Sequence, residues 1–405
     1  MRDLQITSKG IAARGRVHDR TSGRHSNFFL ENSQMKKTLA AVAVLGAFAG
    51  TAMAADVTLY GKIDLGLNYQ HLDDGSVTTN QVSEKSGQNS GSRFGLKGTE
   101  DLGNGYKVGF VLENGFDADT GATGQSMTNS DGSKSTRLFG REAQLYVSSD
   151  FGTLSMGRVG ALTSGLGSYN LNSYMAMSTG WGDYTSKHKY FGLDRDRMDN
   201  TVTYQTPRFA GVRVTAQYSF QTSGAEVEHT AQNDRYAAIG ADYQNGAFAA
   251  GLVVDQKFAK NTVAAGANDK DELGVMLGAS YDFEVVKAFA LFEYAQNANK
   301  FANWSDKNTT KNEGVKGYMA QLGVTAPVLG GTAYATVNYS DADTEVDSKA
   351  ENKAYGVGVG YTYPLSKRTY AYTYAGYQEL KPTDANGDEV KTKNTEFGFG
   401  LVHSF

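Results

Sequence analysis

The chain has 405 residues, 39 Lys and Arg against 43 Asp and Glu, a formal net charge of −4, and no cysteine. The missing thiols exclude disulfide frameworks, cysteine zinc sites and thiol nucleophiles, and the acidic balance gives no support to nucleic acid as a partner. Glycine is common (48) and proline rare (4), without collagen period or low-complexity runs, which predicts many turns and close strand packing rather than disorder.

Residues 1–34 carry six basic and three acidic side chains and no periodic apolar pattern, so they read as a non-native leader added by an upstream start. Met35 opens a second plausible start: Lys36 and Lys37, an apolar run over 39–49, then Ala52, Met53 and Ala54 as a small-x-small cleavage pattern. That layout predicts a secretory signal peptide over residues 35–55. A membrane-spanning helix is the competing reading, and the Ala- and Gly-rich run that ends in a cleavage pattern argues against it. Without residues 1–55 there remain 31 basic and 40 acidic side chains, a net charge of −9.

Residues 56–405 read as strands throughout. Leu59, Gly61, Ile63, Leu65 and Leu67 alternate with Tyr60, Lys62, Asp64 and Asn68, the period-two pattern of a strand with one apolar face. Phe94 and Leu96 alternate with Arg93 and Lys97. After Gly103-Asn104-Gly105, a tight hairpin signal, Val108, Phe110 and Leu112 alternate with Lys107, Gly109 and Glu113. Residues 160–199 break this rhythm. Tyr174, Trp181, Tyr184, Tyr190 and Phe191 give them apolar bulk, and Asp183, Lys187, Lys189, Asp194, Arg195, Asp196, Arg197 and Asp199 give them both signs of charge. A long ordered stretch of this kind inside a strand-rich chain is functional more often than not, and we read it as a loop folded into a barrel lumen.

Strands resume at Val212, and Asn245-Gly246 predicts another two-residue hairpin. About sixteen strands are expected, an even number, with short links near Gly103, Asp150, Pro207, Asn245, Glu284, Pro327 and Pro364. These alternate with long polar segments such as 70–91, 117–136, 297–314 and 381–393. Such sorting of loops onto two rims belongs to an all-β transmembrane barrel and has no reason in a soluble sandwich. Tyr281, Phe283, Tyr361, Tyr363 and Phe405 at strand ends fit interfacial girdles.

Five motifs carry a more specific resemblance: VTLYG (57–61), SRFGLKGTEDLGNG (92–105), DFGTLSMGR (150–158), YPLSKRT (363–369) and GLVHSF (400–405). In this order they resemble the Gram-negative general diffusion porins, of the neisserial and betaproteobacterial type. The resemblance implies a 16-stranded antiparallel β-barrel with an inward-folded third loop, a homotrimer in the outer membrane, and passive passage of ions and small hydrophilic solutes. Outer-membrane lipid and lipopolysaccharide would surround it. It also implies a basic wall facing the loop, here Arg93, Lys97 and Arg141, to which strand alternation adds Lys62. On the loop, Asp183, Asp194, Asp196, Arg197 and Asp199 are the constriction candidates. Phe397, Phe399, Leu401, His403 and Phe405 resemble the terminal signal read by the outer-membrane assembly machinery.

Rival chemistries find little footing. The six histidines, at 18, 25, 71, 188, 229 and 403, have no metal-ligand spacing and no nucleophile motif nearby, so neither an enzyme nor a cofactor is expected. Residues 384–389 resemble part of a calcium loop but suit a solvated turn better. A barrel acting as adhesin or receptor through its long polar loops stays open as the alternative function.

Overall fold

A strand whose apolar face meets hydrocarbon has no water for its backbone groups, and a sheet closed on itself satisfies them all. The computed structural model describes residues 57–128, 134–177, 180–183, 190–260, 270–305, 314–345 and 349–405, and there the chain forms such a sheet. The expected leader and signal peptide lie outside the described residues.

The strands in chain order are β1 (Thr58–Asp73), β2 (Thr78–Ser86), β3 (Arg93–Gly103), β4 (Tyr106–Gly115), β5 (Ser126–Thr128), β6 (Lys134–Thr136), β7 (Glu142–Ser149) and β8 (Gly152–Gly160). They continue with β9 (Arg197–Gln205), β10 (Val212–Ser219), β11 (Arg235–Asn245), β12 (Phe248–Phe258), β13 (Glu272–Asp282) and β14 (Lys287–Ala298). The last are β15 (Val315–Val328), β16 (Gly331–Thr344), β17 (Glu351–Pro364), β18 (Thr369–Thr383) and β19 (Thr392–Ser404). Both β2 and β3 pair antiparallel with β1, β3 pairs with β4, β4 with β7, and from β7 onward each strand pairs antiparallel with the next; β19 returns to β1 in the register Lys62↔Ser404 through Asp73↔Lys393, closing the barrel. The strands β5 and β6 form a separate ribbon between β4 and β7. Because β2 and β3 share one edge of β1, they are two pieces of one wall strand, so the closed barrel has sixteen.

Turn chemistry explains the short rim. Asn104 and Gly105 sit at φ of +53° and +79° between Gly103 and Tyr106, the left-handed pair that a two-residue hairpin needs. The next predicted hairpin is shifted by one residue: Asn245 pairs with Phe248, so Gly246 and Ala247 make the turn. Residues 70–91 are not a long loop. Strands β1 and β2 extend until only residues 74–77 turn, because Tyr69, His71, Asn80 and Val82 keep the alternation going. Residues 384–389 form a turn in which the Asp384 carboxylate accepts the backbone N–H groups of Asn386 and Asp388, both at 2.9 Å, as expected of a surface turn.

Exposure follows the alternation. Leu145, Ile239, Leu252, Leu277, Leu322 and Val357 are exposed, while polar neighbours such as Gln144, Thr215, Asp255, Gln321 and Asn338 are buried on the opposite face. An apolar outside around a polar inside is the reverse of a soluble protein and fits a membrane barrel. Aromatic pairs mark both edges of the apolar belt: Tyr281 with Phe283 (ring centroids 4.6 Å apart) at the short rim, Tyr339 with Tyr355 (5.3 Å) toward the other.

The buried apolar core lies on the polar side of the wall. Leu162, Leu171, Tyr174, Phe191 and Leu193, between β8 and β9, pack with Tyr236, Val253, Met276 and Met319 from β11 to β15. Glycines make room for them. The ring of Tyr174 lies over Gly251 and Gly278, where a side-chain carbon would come within 2.6 and 2.2 Å of it. Phe191 covers Gly356 and Trp181 covers Gly360 in the same way. Each buried ring contributes about 1.5–3 kcal/mol, so these contacts hold Tyr174, Trp181 and Phe191 against the wall.

Candidate constriction site

A cavity of about 950 Å³ opens between the residues that join β8 to β9 and the wall formed by β1, β3, β4 and β7. Arg93 and Lys97, on one face of β3, both line it. Lys97 stands over the Tyr60 ring, 5.3 Å from its centroid. Lys62 is the cross-strand partner of Arg93 but is not among the residues lining the cavity.

Arg141 also lines the cavity, although strict alternation from Ala143, Leu145 and Val147 would turn it toward lipid. It precedes β7 at a bend, which frees it from the parity of the strand. Its Nε donates to Glu113 Oε1 at 2.6 Å, and Arg93 approaches the same oxygen at 3.9 Å. Glu142 lies nearby, buried, accepting from Gln144 Nε2 at 2.5 Å and from the Ser168 amide at 3.3 Å. Both acids occupy polar-face positions of the alternation, but a search for bases alone passes over them.

The five loop candidates separate. Asp194 and Asp196 are exposed to the cavity and Arg197 lines it too. Asp183 is not among the lining residues: it pairs with Lys85, and its amide donates to Glu396 Oε2 at 3.0 Å. Asp199 is not a loop residue at all, since β9 begins at Arg197 and the connecting segment is 161–196 rather than 160–199. Its carboxylate accepts from Arg137 at 2.5 and 2.6 Å and from Arg158 at 2.7 Å, a buried arrangement within the wall. Lys187 and Lys189 lie outside the described residues.

Arg195 does different work from its neighbours. Fully buried, it donates to Asp255 Oδ1 at 2.9 Å and to Glu272 Oε2 at 2.7 Å, on β12 and β13. Burial alone would lower its pKa, but the two carboxylates raise it well above the ordinary value, so it is held as a cation. Thr163 Oγ1 donates to the other Asp255 oxygen at 3.2 Å, so both ends of the segment are tied to one carboxylate.

At the opposite end of the chain, Phe397, Phe399, Leu401 and His403 fall on the exposed, outward face of β19, and Phe405, one residue beyond the strand, is exposed as well.

A barrel with a polar inside and a charged cavity is matched by comparison with known proteins. The Gram-negative porin family matches residues 40–383. The chain belongs to the Gram-negative porin family. An outer membrane porin protein of Bordetella pertussis is 32% identical over 92% of this chain and 100% of its own length. Outer membrane porin protein 32 of Delftia acidovorans is 33% identical over 88% and 93%. Among solved structures, the anion-selective porin from Comamonas acidovorans superimposes with a TM-score of 0.63 at 26% identity, covering 87% of this chain and all of that one. This porin is therefore an outer-membrane channel for passive diffusion, and the adhesin reading is not favoured.

Proposed function

We propose that this porin is narrowest at the cavity of about 950 Å³, with residues 161–196 lying across the lumen, and that it passes small hydrophilic anions in preference to cations. The observation that carries the reading is the meeting of Arg93, Arg141 and Arg197 on one cavity, with Lys97 beside them and Asp194 and Asp196 on the connecting segment. Opposed charges across a narrow lumen make a transverse field that orders water and favours polar solutes over apolar ones. The field acts within a Debye length of about 8 Å at physiological salt, so its effect is local to the constriction. Glu113 screens part of the positive wall through Arg141. The preference for anions is accordingly modest. The similarity to the anion-selective porin from Comamonas acidovorans supports it.

In this reading residues 35–55 direct export, residues 397–405 are read by the outer-membrane assembly machinery, and the protein works as a homotrimer among outer-membrane lipid and lipopolysaccharide, with no catalytic role. The test is single-channel conductance of the purified protein in a planar bilayer under a salt gradient. Large steps closing in threes, with a reversal potential on the anion side, are the expected result; a cation-side potential overturns the selectivity. Chemical cross-linking in mild detergent is expected to stop at three subunits, and cross-linking that stops at one rules out the trimer.

A further inference from the structure

The second wall strand is broken where it passes the cavity. Lys62 pairs with Arg93 and Leu65 pairs with Ser86, so two residues of β1 stand opposite the six residues 87–92. A common bulge adds a single residue. This excursion is far larger, and hydrogen bonds to the backbone of Gly87, Gln88, Asn89, Ser90 and Ser92 tie it down.

Asp64 holds it. Fully buried, its Oδ2 accepts the backbone N–H groups of Asn89 at 2.8 Å and Ser90 at 2.7 Å, and its Oδ1 accepts the Tyr372 hydroxyl at 2.7 Å. The Asp64 carbonyl accepts the Gly87 N–H at 3.0 Å and the Ser92 hydroxyl at 3.2 Å. At its far side the excursion meets the 161–196 segment: the Gln88 carbonyl accepts the N–H groups of Trp181 and Gly182 at 2.5 and 2.8 Å. Toward the cavity, Ser90 Oγ accepts from Arg93 Nη2 at 2.7 Å, and Gly91 leaves room for the Arg141 guanidinium. Gly87, Asn89, Ser90 and Gly91 all line the cavity.

We propose that residues 87–92 are a second constriction element, built from the wall itself, which joins the 161–196 segment at Gln88 and sets the size and polarity of the passage beside Arg93 and Arg141. The inference rests on the reading that the cavity is the narrowest part of the conducting path. Asp64 is its positioning residue. The excursion lends the lumen neutral dipoles, the Ser90 hydroxyl and the Asn89 amide, next to two fixed cations. An anion shedding part of its hydration there meets hydrogen-bonding groups as well as charge.

The chain has no cysteine, so a single introduced thiol can be labelled without background. Ser90→Cys is compared with Asp194→Cys on the facing segment, each as the assembled channel in a planar bilayer. The reagents are methanethiosulfonates carrying either a sulfonate or a trimethylammonium group, and labelling is verified by mass. Labelled Ser90→Cys is expected to lose conductance with both reagents, with the reversal potential moving toward cations for the sulfonate and further toward anions for the ammonium. Three results overturn the proposal. Complete labelling of Ser90→Cys with unchanged conductance and potential, while Asp194→Cys responds, removes the second element and leaves the cavity as the constriction. Failure of a folded Ser90→Cys channel to label takes Ser90 out of the lumen. No response from either variant removes the constriction reading and this inference with it. Gly91→Cys serves in the same way should Ser90→Cys fail to assemble.

Discussion

Arg141 stands one position before β7, on the parity that would point it at hydrocarbon, yet it lines the cavity and binds Glu113. The difference is a bend of one residue, which alternation does not encode. Arg93 and Lys97 needed no such help, since both fall on the polar face of a regular strand, and they are where a charge change is easiest to interpret. Arg93→Glu and Lys97→Glu each replace a positive charge by a negative one beside the path. At separations near 8 Å and an effective dielectric of about 20, this alters a passing ion's energy on the order of 1–2 kcal/mol per charge before screening. Each variant is expected to move the permeability ratio several-fold toward cations, read as reversal potential, while Asp194→Asn moves it the other way. Unchanged potentials in both basic variants would place these residues off the path. The carboxylates were the less legible half of the site: Glu113 and Glu142 lie on the predicted polar face, but only their contacts with Arg141 and Ser168 reveal them as part of the cavity.

At the scale of elements, period-two alternation made the strands readable because lipid and water face opposite sides of the same wall. The connecting segment was readable as an interruption, with Trp181 and Phe191 as its bulk, but not its anchorage. The partners of Arg195 are 60 and 77 residues away, and no local pattern links them. Arg195→Met leaves Asp255 as a buried carboxylate without its cation and Glu272 with Lys257 alone at 3.7 Å, at a cost of about 3–5 kcal/mol. That variant is expected to flicker and to close at lower voltage in bilayer recordings. The triple change Arg195→Met, Asp255→Asn, Glu272→Gln removes the charges together and is expected to recover most of the stability, seen as the thermal midpoint of the purified channel. Equal loss in single and triple variants would show that the charges are not what anchors the segment. The glycines opposite the rings were hidden for a related reason: Gly356 and Gly360 sit in a regular strand, and only the fold brings Phe191 and Trp181 onto them. Gly356→Leu must displace the Phe191 ring and is expected to destabilise the channel by about 1–3 kcal/mol through overpacking. An unchanged thermal midpoint would mean the ring has other room.

A barrel is complete only when its first and last strands meet, and here the final residue takes part in that seam. The backbone N–H of Phe405 donates to the Gly61 carbonyl and the Gly61 N–H to the Phe405 carbonyl, both at 3.1 Å, while the Phe405 ring fills the space that a side chain at Gly61 would need. The ring thus seals the barrel, and the assembly role proposed for it is separable from that seal by experiment. Deleting Phe405 removes two seam hydrogen bonds, each worth about 0.5–1.5 kcal/mol, which leaves most of the twelve-pair register between β1 and β19 in place. The deleted protein is therefore expected to refold in detergent with a modestly lowered thermal midpoint, and yet to reach the outer membrane of intact cells in much smaller amount. Equal impairment in both settings would assign the residue to the seam alone. Normal assembly in cells would remove the signal role from the terminal ring and leave recognition to Phe397, Phe399 and Leu401 on the same exposed stripe.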